Sequence, residues 1–148
     1  MIFLELESKP DFAEDLLVNA ARATLDLSGA SDADLTLVLT GDEHMRALNR
    51  DFLGVDAPTD VLSFPADESD PETGRRYLGD VIISQPRAAE QAAARGHGLE
   101  SEVQLLVVHG VLHLLGHDHA EADEKARMWA TQVKVLETLG VSAGISEE

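Results

Sequence analysis

Four of the six histidines in this 148-residue chain fall in one short run, HGVLHLLGHDH, from His109 to His119. From Leu105 to Leu115 every residue is apolar except His109, Gly110 and His113, a pattern that predicts a buried helix. Side chains four apart share a helix face, so His109 and His113 should stack one turn apart and point the same way. Gly116 then ends the helical run, and the chain is expected to turn back so that His119 approaches the same point from the side. Three neutral imidazoles converging on one point make a zinc site with a coordination position left open, one Zn2+ per chain. Zinc held in that way does hydrolysis.

A lone core histidine is more often packed than ligating. Two at this spacing fit that account poorly, because each buried ring needs a hydrogen-bond partner and the residues around them are Leu and Val. The third histidine completes the spacing of the metalloprotease helix HExxHxxGxxH, with one letter changed. Gly110 stands where the protease carries its general-base glutamate. A glycine inside a helix costs about 1 kcal/mol against alanine, so it points to close approach of backbone or substrate. Peptide hydrolysis by the usual route is left without its base. His117 lies outside the spacing and reads as a ligand, a donor behind the ligands, or an exposed residue near a charged substrate. Asp118 is a catalytic candidate, placed to orient an imidazole or act on bound water. It reads equally well as a cap for a helix beginning at Ala120.

The elements that must position these residues follow from the rest of the chain. Residues 2–7 alternate as a first strand, and Asp11 with Glu14 forms a capping box for a helix marked by Phe12, Leu16, Ala20 and Ala23. Residues 34–40 are a second strand; Thr40 and Glu43 cap a helix whose apolar face is Met45, Leu48 and Phe52. VLSF is a short strand entering Pro65, residues 66–76 a hairpin loop, and residues 77–84 the returning strand. Pro86 opens a helix that runs to about Arg95. The histidine helix starts near Ser101, and Met128, Trp129, Val133, Leu136 and Leu139 trace the inner face of a last helix before a frayed tail at 141–148. The order β-α-β-α-β-β-α-α-α predicts an α/β fold, a small mixed sheet with packed helices and a central metal-binding helix.

The length fits one domain, residues 1–148, with a sizeable core. Without cysteine, histidine must supply the metal site, and a reducing compartment suits the composition. The opening MIFLELESKPD turns acidic by its fifth residue and lacks a basic flank, so it reads as a strand rather than a signal peptide. The apolar stretches are too short to span a bilayer, which predicts a cytoplasmic protein with no membrane partner. Eleven basic side chains against twenty-eight acidic ones give a net charge of -17, which repels polyanions. That cuts against an ordinary nonspecific nucleic-acid binder, whose affinity comes from phosphate contacts; screening in a salty cytoplasm would weaken the repulsion.

HGVLHLLGHDH, with LNRDFLGVDAPTDVLSFP at residues 48–65 and LGDVIIS at 78–84, resembles the YbeY family of bacterial metal-dependent endoribonucleases, the rRNA maturation factors. The resemblance covers nearly the whole chain. It implies zinc on His109, His113 and His119, cleavage of single-stranded RNA, maturation of the 3′ end of small-subunit rRNA, and ribosome quality control. It also implies the small ribosomal subunit as partner, with a ribosomal protein or an assembly GTPase as further partner classes. Two positions depart from the family pattern: His117 stands where tyrosine is common, and Leu53 where an arginine is thought to contact phosphate. Arg50, one helical turn earlier, is the candidate substitute, followed on weaker grounds by Arg75, Arg76 and Arg87. Asp60 and Asp80 are carboxylates beside buried strands, read as groups that hold loops and as candidates for the cleft. The expected activity is thus a zinc-dependent, single-strand-specific endoribonuclease. A peptide-directed metallohydrolase and an assembly factor with a mainly structural zinc are the alternatives.

Overall fold

The computed structural model describes residues 1–117 and 121–141, with Asp67 described by its backbone alone. Its elements are β1 (Ile2–Leu6), α1 (Asp15–Leu27), β2 (Asp34–Thr40), α2 (Asp42–Leu53), β3 (Val61–Ser69), β4 (Arg76–Ser84), α3 (Gln85–Arg95), α4 (Leu99–Leu114) and α5 (Ala122–Thr138). Both the order and the types match the sequence reading. The four strands form one sheet in the order β1-β2-β4-β3. β1, β2 and β4 are parallel, and β3 runs antiparallel to β4. The helical crossovers account for the parallel pairs, and the short β3–β4 connection for the hairpin.

Strand alternation divides the core between the two faces of the sheet. Leu35, Leu37, Leu39, Val81 and Ile83 join the main cluster, which α1 and α4 complete. Val38, Leu62 and Ile82, of opposite parity, pack on Met45 of α2. α4 is apolar on nearly every side, the composition of an interior helix, and it touches α1, α3, α5, β3 and β4. The histidines therefore sit on the central helix, as the sequence predicts.

Several local expectations give way. β3 runs on to Ser69 and β4 begins at Arg76, so the loop at 66–76 shrinks to its tip, with Glu68 opposite Tyr77 and Ser69 opposite Arg76. Strand pairing at an exposed hairpin end needs backbone groups only, so polar side chains do not forbid it. A register shift follows Pro65, and Gly79 opposite it has φ 131°, with the Phe64 carbonyl where a Cβ would sit. The Asp11–Glu14 capping box is not formed: Glu14 caps α1 without a side-chain bond, and the Asp11 amide donates to Gln85 Oε1 at 2.7 Å. Gly41 caps α2, while Thr40 Oγ1 sits 3.1 Å from His44 Nδ1. α4 starts at Leu99, slightly before the expected Ser101. On α2, Met45 is buried but Phe52 stands in solvent. The inner side of α1 is formed by Leu17, Ala20, Ala21, Thr24 and Leu25, with the expected Leu16 and Ala23 only flanking it. In α5, Met128 and Leu136 are buried together with Gln132 and Val135, whereas Trp129, Val133 and, just past the helix end, Leu139 are half-buried. Val141, expected to begin a frayed tail, is instead buried in the main cluster, its amide donating to the Leu136 carbonyl at 2.9 Å, and residues 142–148 lie outside the described residues. Among the described residues, no helix is long and apolar enough to cross a membrane.

Candidate metal centre and its cleft

α4 ends as the sequence requires. The Gly116 amide donates to the His113 carbonyl at 3.0 Å, and the His117 amide to the Leu112 carbonyl at 3.0 Å. This is the paired-bond reversal that closes helices at a left-handed residue, and Gly116, at φ 97°, supplies it. Asp118 and His119 follow that turn and lie outside the described residues.

His109 and His113 meet as the helical spacing predicts. Their rings stack edge to face, with centroids 4.6 Å apart, and their Nε2 atoms are 3.1 Å apart. On its far side His109 presents Nδ1 to Gln132 Oε1 of α5 at 3.1 Å. An amide oxygen only accepts, so the hydrogen is on Nδ1 and the Nε2 lone pair faces His113. Two imidazole nitrogens at this separation fit a zinc ion, whose bonds to histidine are about 2.0–2.1 Å. The donor set suits the metal in chemistry and in reach.

Gly110, the departure from the protease motif, is explained by packing. A Cβ there would lie 2.5 Å from Val81 Cγ1 and 3.3 Å from Ser63 Oγ, and the Ser63 hydroxyl donates to the Gly110 carbonyl at 3.1 Å. The helix thus presses its backbone against β3 and β4. A Cβ at this position would force the Val81 side chain to shift, and a glutamate would have to displace more.

The two histidines open onto a cleft of about 410 Å³ between α4 and the edge strand β3, shared with Leu53, Asp60, Ser63 and Pro65. Leu53, expected from the resemblance to stand in place of an arginine, therefore faces the cleft. Arg50 is not among the lining residues; its side chain is exposed, with Nε 3.1 Å from Asp51 Oδ1. Asp60 lies in the cleft and also holds its own loop, its Oδ1 accepting from the Val61 amide at 2.8 Å and the Thr59 hydroxyl at 3.2 Å. Asp80 lies elsewhere. It faces away from α4, opposite Phe64 and Thr36, and accepts from the Tyr77 hydroxyl at 2.5 Å. Burial, reinforced by that carboxylate, pushes the Tyr77 phenol up to about 12.

The arginines expected to gather at the metal do not. Arg76 pairs opposite Ser69, five residues along β4 from the Val81–Ser63 pair, roughly 16 Å at the rise of a strand. Arg75 is tied to Asp34, with NH2 2.5 Å from Oδ1. Arg87 bridges Asp42 and Glu90. In a chain this acidic, Arg75 and Arg87 are each engaged by carboxylates away from the cleft. Sequence reading missed Arg95, which lines a cavity of about 90 Å³ with Asp60, His109 and Gln132. Its guanidinium is 3.1 Å from Glu102, a fully buried carboxylate that also takes His97 Nε2 at 2.6 Å. An Arg and a His flanking a glutamate in an apolar helix was the available signal. His117 lines a separate pocket with Glu124 and Arg127, at the C-terminal end of α4.

Comparison with known proteins agrees with this arrangement. The family model described as endoribonuclease YbeY matches residues 5–140. The endoribonuclease YbeY of Mycobacterium tuberculosis strain H37Rv is 44% identical over 141 residues, covering 88% of this chain and 78% of the relative. That of Mycobacterium ulcerans is 43% identical over 139 residues, with the same coverage. Among solved structures, the solution structure of TM1509 from Thermotoga maritima superimposes with a TM-score of 0.66 at 30% identity, covering 95% of this chain and 90% of that one. A match spanning both halves of the cleft, from the α2 lip to the histidine helix, leaves one assignment: the chain belongs to the endoribonuclease YbeY family.

Proposed function

We propose that this chain, acting as a single metallohydrolase domain in the cytoplasm, is a zinc-dependent endoribonuclease that cuts single-stranded RNA. Its place is in maturing the 3′ end of small-subunit rRNA and in ribosome quality control. The observation that carries this reading is the pair of Nε2 atoms 3.1 Å apart, opening onto a cleft of about 410 Å³, in a chain of this family. His109 and His113, with His119 from the turn beyond Gly116, hold one zinc per chain. A bound zinc supplies Lewis-acid stabilisation of phosphoryl charge and acidifies coordinated water.

The residues of the chain do the rest. Gln132 fixes the His109 tautomer, so that Nε2 is the basic nitrogen. Asp60 is the carboxylate set beside both histidines, held by the Val61 amide, and it orients the attacking hydroxyl, whether of water or of the ribose. Asp118 is the second candidate for that task, and Arg50 the candidate for phosphate contact from outside the Leu53 lip. With a net charge of -17, the chain repels free RNA at long range. Delivery by the small ribosomal subunit, a ribosomal protein or an assembly GTPase fits that charge.

The test is incubation with labelled single-stranded RNA, duplex RNA and casein, each with and without chelator. Chelator-sensitive cleavage of the single strand, lost with the metal in His113→Ala, is the expected result. Chelator-sensitive proteolysis would overturn it. Activity on no substrate, with co-sedimentation on ribosomes retained, would favour an assembly factor with a structural zinc.

A further inference from the structure

The C-terminal end of α2 leaves apolar surface where an acidic protein has least reason to. Among the described residues seven large hydrophobic side chains are exposed, and three of them are neighbours: Phe52 at 66%, Leu53 at 60% and Val55 at 50%. Scattered exposed hydrophobics are ordinary, but a contiguous group at the mouth of a cleft marks a binding surface. This group is continuous with the metal cleft. Leu53 lines it, and Phe52 sets its ring against Phe64, centroids 5.3 Å apart at 67°, in the strand whose Ser63 and Pro65 also line it. The charges beside it are neutralised locally, Arg46 by Asp56 and Arg50 by Asp51. The lip therefore offers an aromatic edge and aliphatic surface, with little net positive charge for phosphate.

We infer that this lip, Phe52 with Leu53 and Val55, is a stacking site for an unpaired nucleobase next to the scissile phosphodiester. The inference rests on the proposed nuclease reading, which brings a nucleic-acid strand to the cleft. Once the phosphate lies over His109 and His113, a base that leaves the cleft past Leu53, which lines it, meets the exposed ring of the adjacent Phe52. A base inside a duplex has its faces covered by neighbouring pairs and cannot use the site. Single-strand selection then comes from the lip. Stacking also suits the charge: it needs no cluster of arginines and binds any base through its π-face.

The experiment measures binding of the metal-loaded full chain to three fluorescein-labelled probes. These are a single-stranded DNA oligonucleotide, the same backbone with abasic positions throughout, and the corresponding duplex. RNA cleavage by the same preparations is followed in parallel. The wild type should prefer the base-bearing single strand, and its affinity should fall only shallowly with salt. Phe52→Ala should weaken that binding by roughly 5- to 100-fold, leave the abasic probe unaffected, and keep the zinc content and thermal midpoint. Phe52→Trp should bind at least as well as wild type, as a larger stacking face requires. Failure of the wild type to bind, equal affinity for base-bearing and abasic strands, or an undiminished Phe52→Ala would each overturn the site. Base-dependent binding sensitive to Phe52, without chelator-sensitive RNA cleavage, would support the lip and sink the nuclease reading alone. Normal cleavage with an undiminished Phe52→Ala would do the reverse.

Discussion

Gln132, buried on α5, accepts from Nδ1 of His109 on α4 across 3.1 Å, so the last helix sets which nitrogen of the first candidate ligand is basic. Partners of this kind typically change metal affinity by about 10- to 100-fold when removed. Gln132→Leu, similar in size but without an acceptor, should weaken zinc binding by that order in competition with a chelating dye. Gln132→Glu keeps the acceptor and should stay near wild type. Equal zinc affinity in Gln132→Leu would show that the contact is packing only.

The approach of Gly110 to Val81 predicts a steric coupling. Adding a methyl group to a filled core costs about 1–3 kcal/mol, against about 1 kcal/mol gained when alanine replaces glycine in a helix. Gly110→Ala should therefore lose up to about 2 kcal/mol of stability in urea unfolding. In a Val81→Ala background, where the 2.5 Å clash is gone, the same change should be neutral or stabilising. Additive losses in the double mutant would refute the coupling.

The order of elements and the stacked pair His109 and His113 were legible in the sequence because helical and strand periods determine them directly. Gly110 was legible as an anomaly, and only the sheet behind it shows that backbone packing, with Ser63 and Val81, is the cause. Gln132 was hidden because it is one polar residue in an amphipathic helix, and its partner lies across an interhelical contact that no local pattern encodes. The arginines misled for the opposite reason. Sequence shows how many cations there are, but not that Asp34 and Asp42 occupy Arg75 and Arg87.

Glu102 has no exposed side-chain surface and two partners, Arg95 and His97, at the junction of α3 and α4. Breaking a buried ion pair from the cationic side leaves a carboxylate without compensation, at a cost of about 3–5 kcal/mol. The double variant Arg95→Ala, His97→Ala should show a loss of that order in urea unfolding. Adding Glu102→Leu should restore much of it, since the unpaired charge is then gone. A triple variant no more stable than the double would mean that the polar contacts themselves hold the junction.

Asp34 gives a pH dependence of known sign. The Arg75 guanidinium bonded to it holds its carboxyl down at about 2, below the ordinary 3.8. A depressed folded-state value adds stability above the unfolded value, and this is lost as pH falls through the folded one. The contribution should therefore be complete above about pH 4 and disappear toward about pH 2. Arg75→Gln should move the Asp34 titration, followed by carboxyl NMR, back toward the ordinary value and flatten the acid limb of the stability profile. An unmoved titration would show that Arg75 is not the cause.

Leu53 faces the cleft and Arg50 lies one turn back, outside it, which makes the two positions separable. Arg50 is already engaged by Asp51, so Arg50→Ala should lower RNA cleavage only modestly, with zinc content unchanged. Leu53→Arg places a cation among His109, His113 and Asp60, where a phosphate over the metal would meet it. One added phosphate contact steepens the salt dependence of single-strand binding by about 0.7 in log–log slope. The variant should therefore bind and cut RNA better at low salt and lose that advantage as salt rises. It should gain less on the abasic-sensitive part of binding, because the arginine replaces apolar lip surface. If Leu53→Arg leaves both slope and rate unchanged, RNA does not pass over this end of α2, and the substrate path must leave the cleft along Ser63 and Pro65 instead.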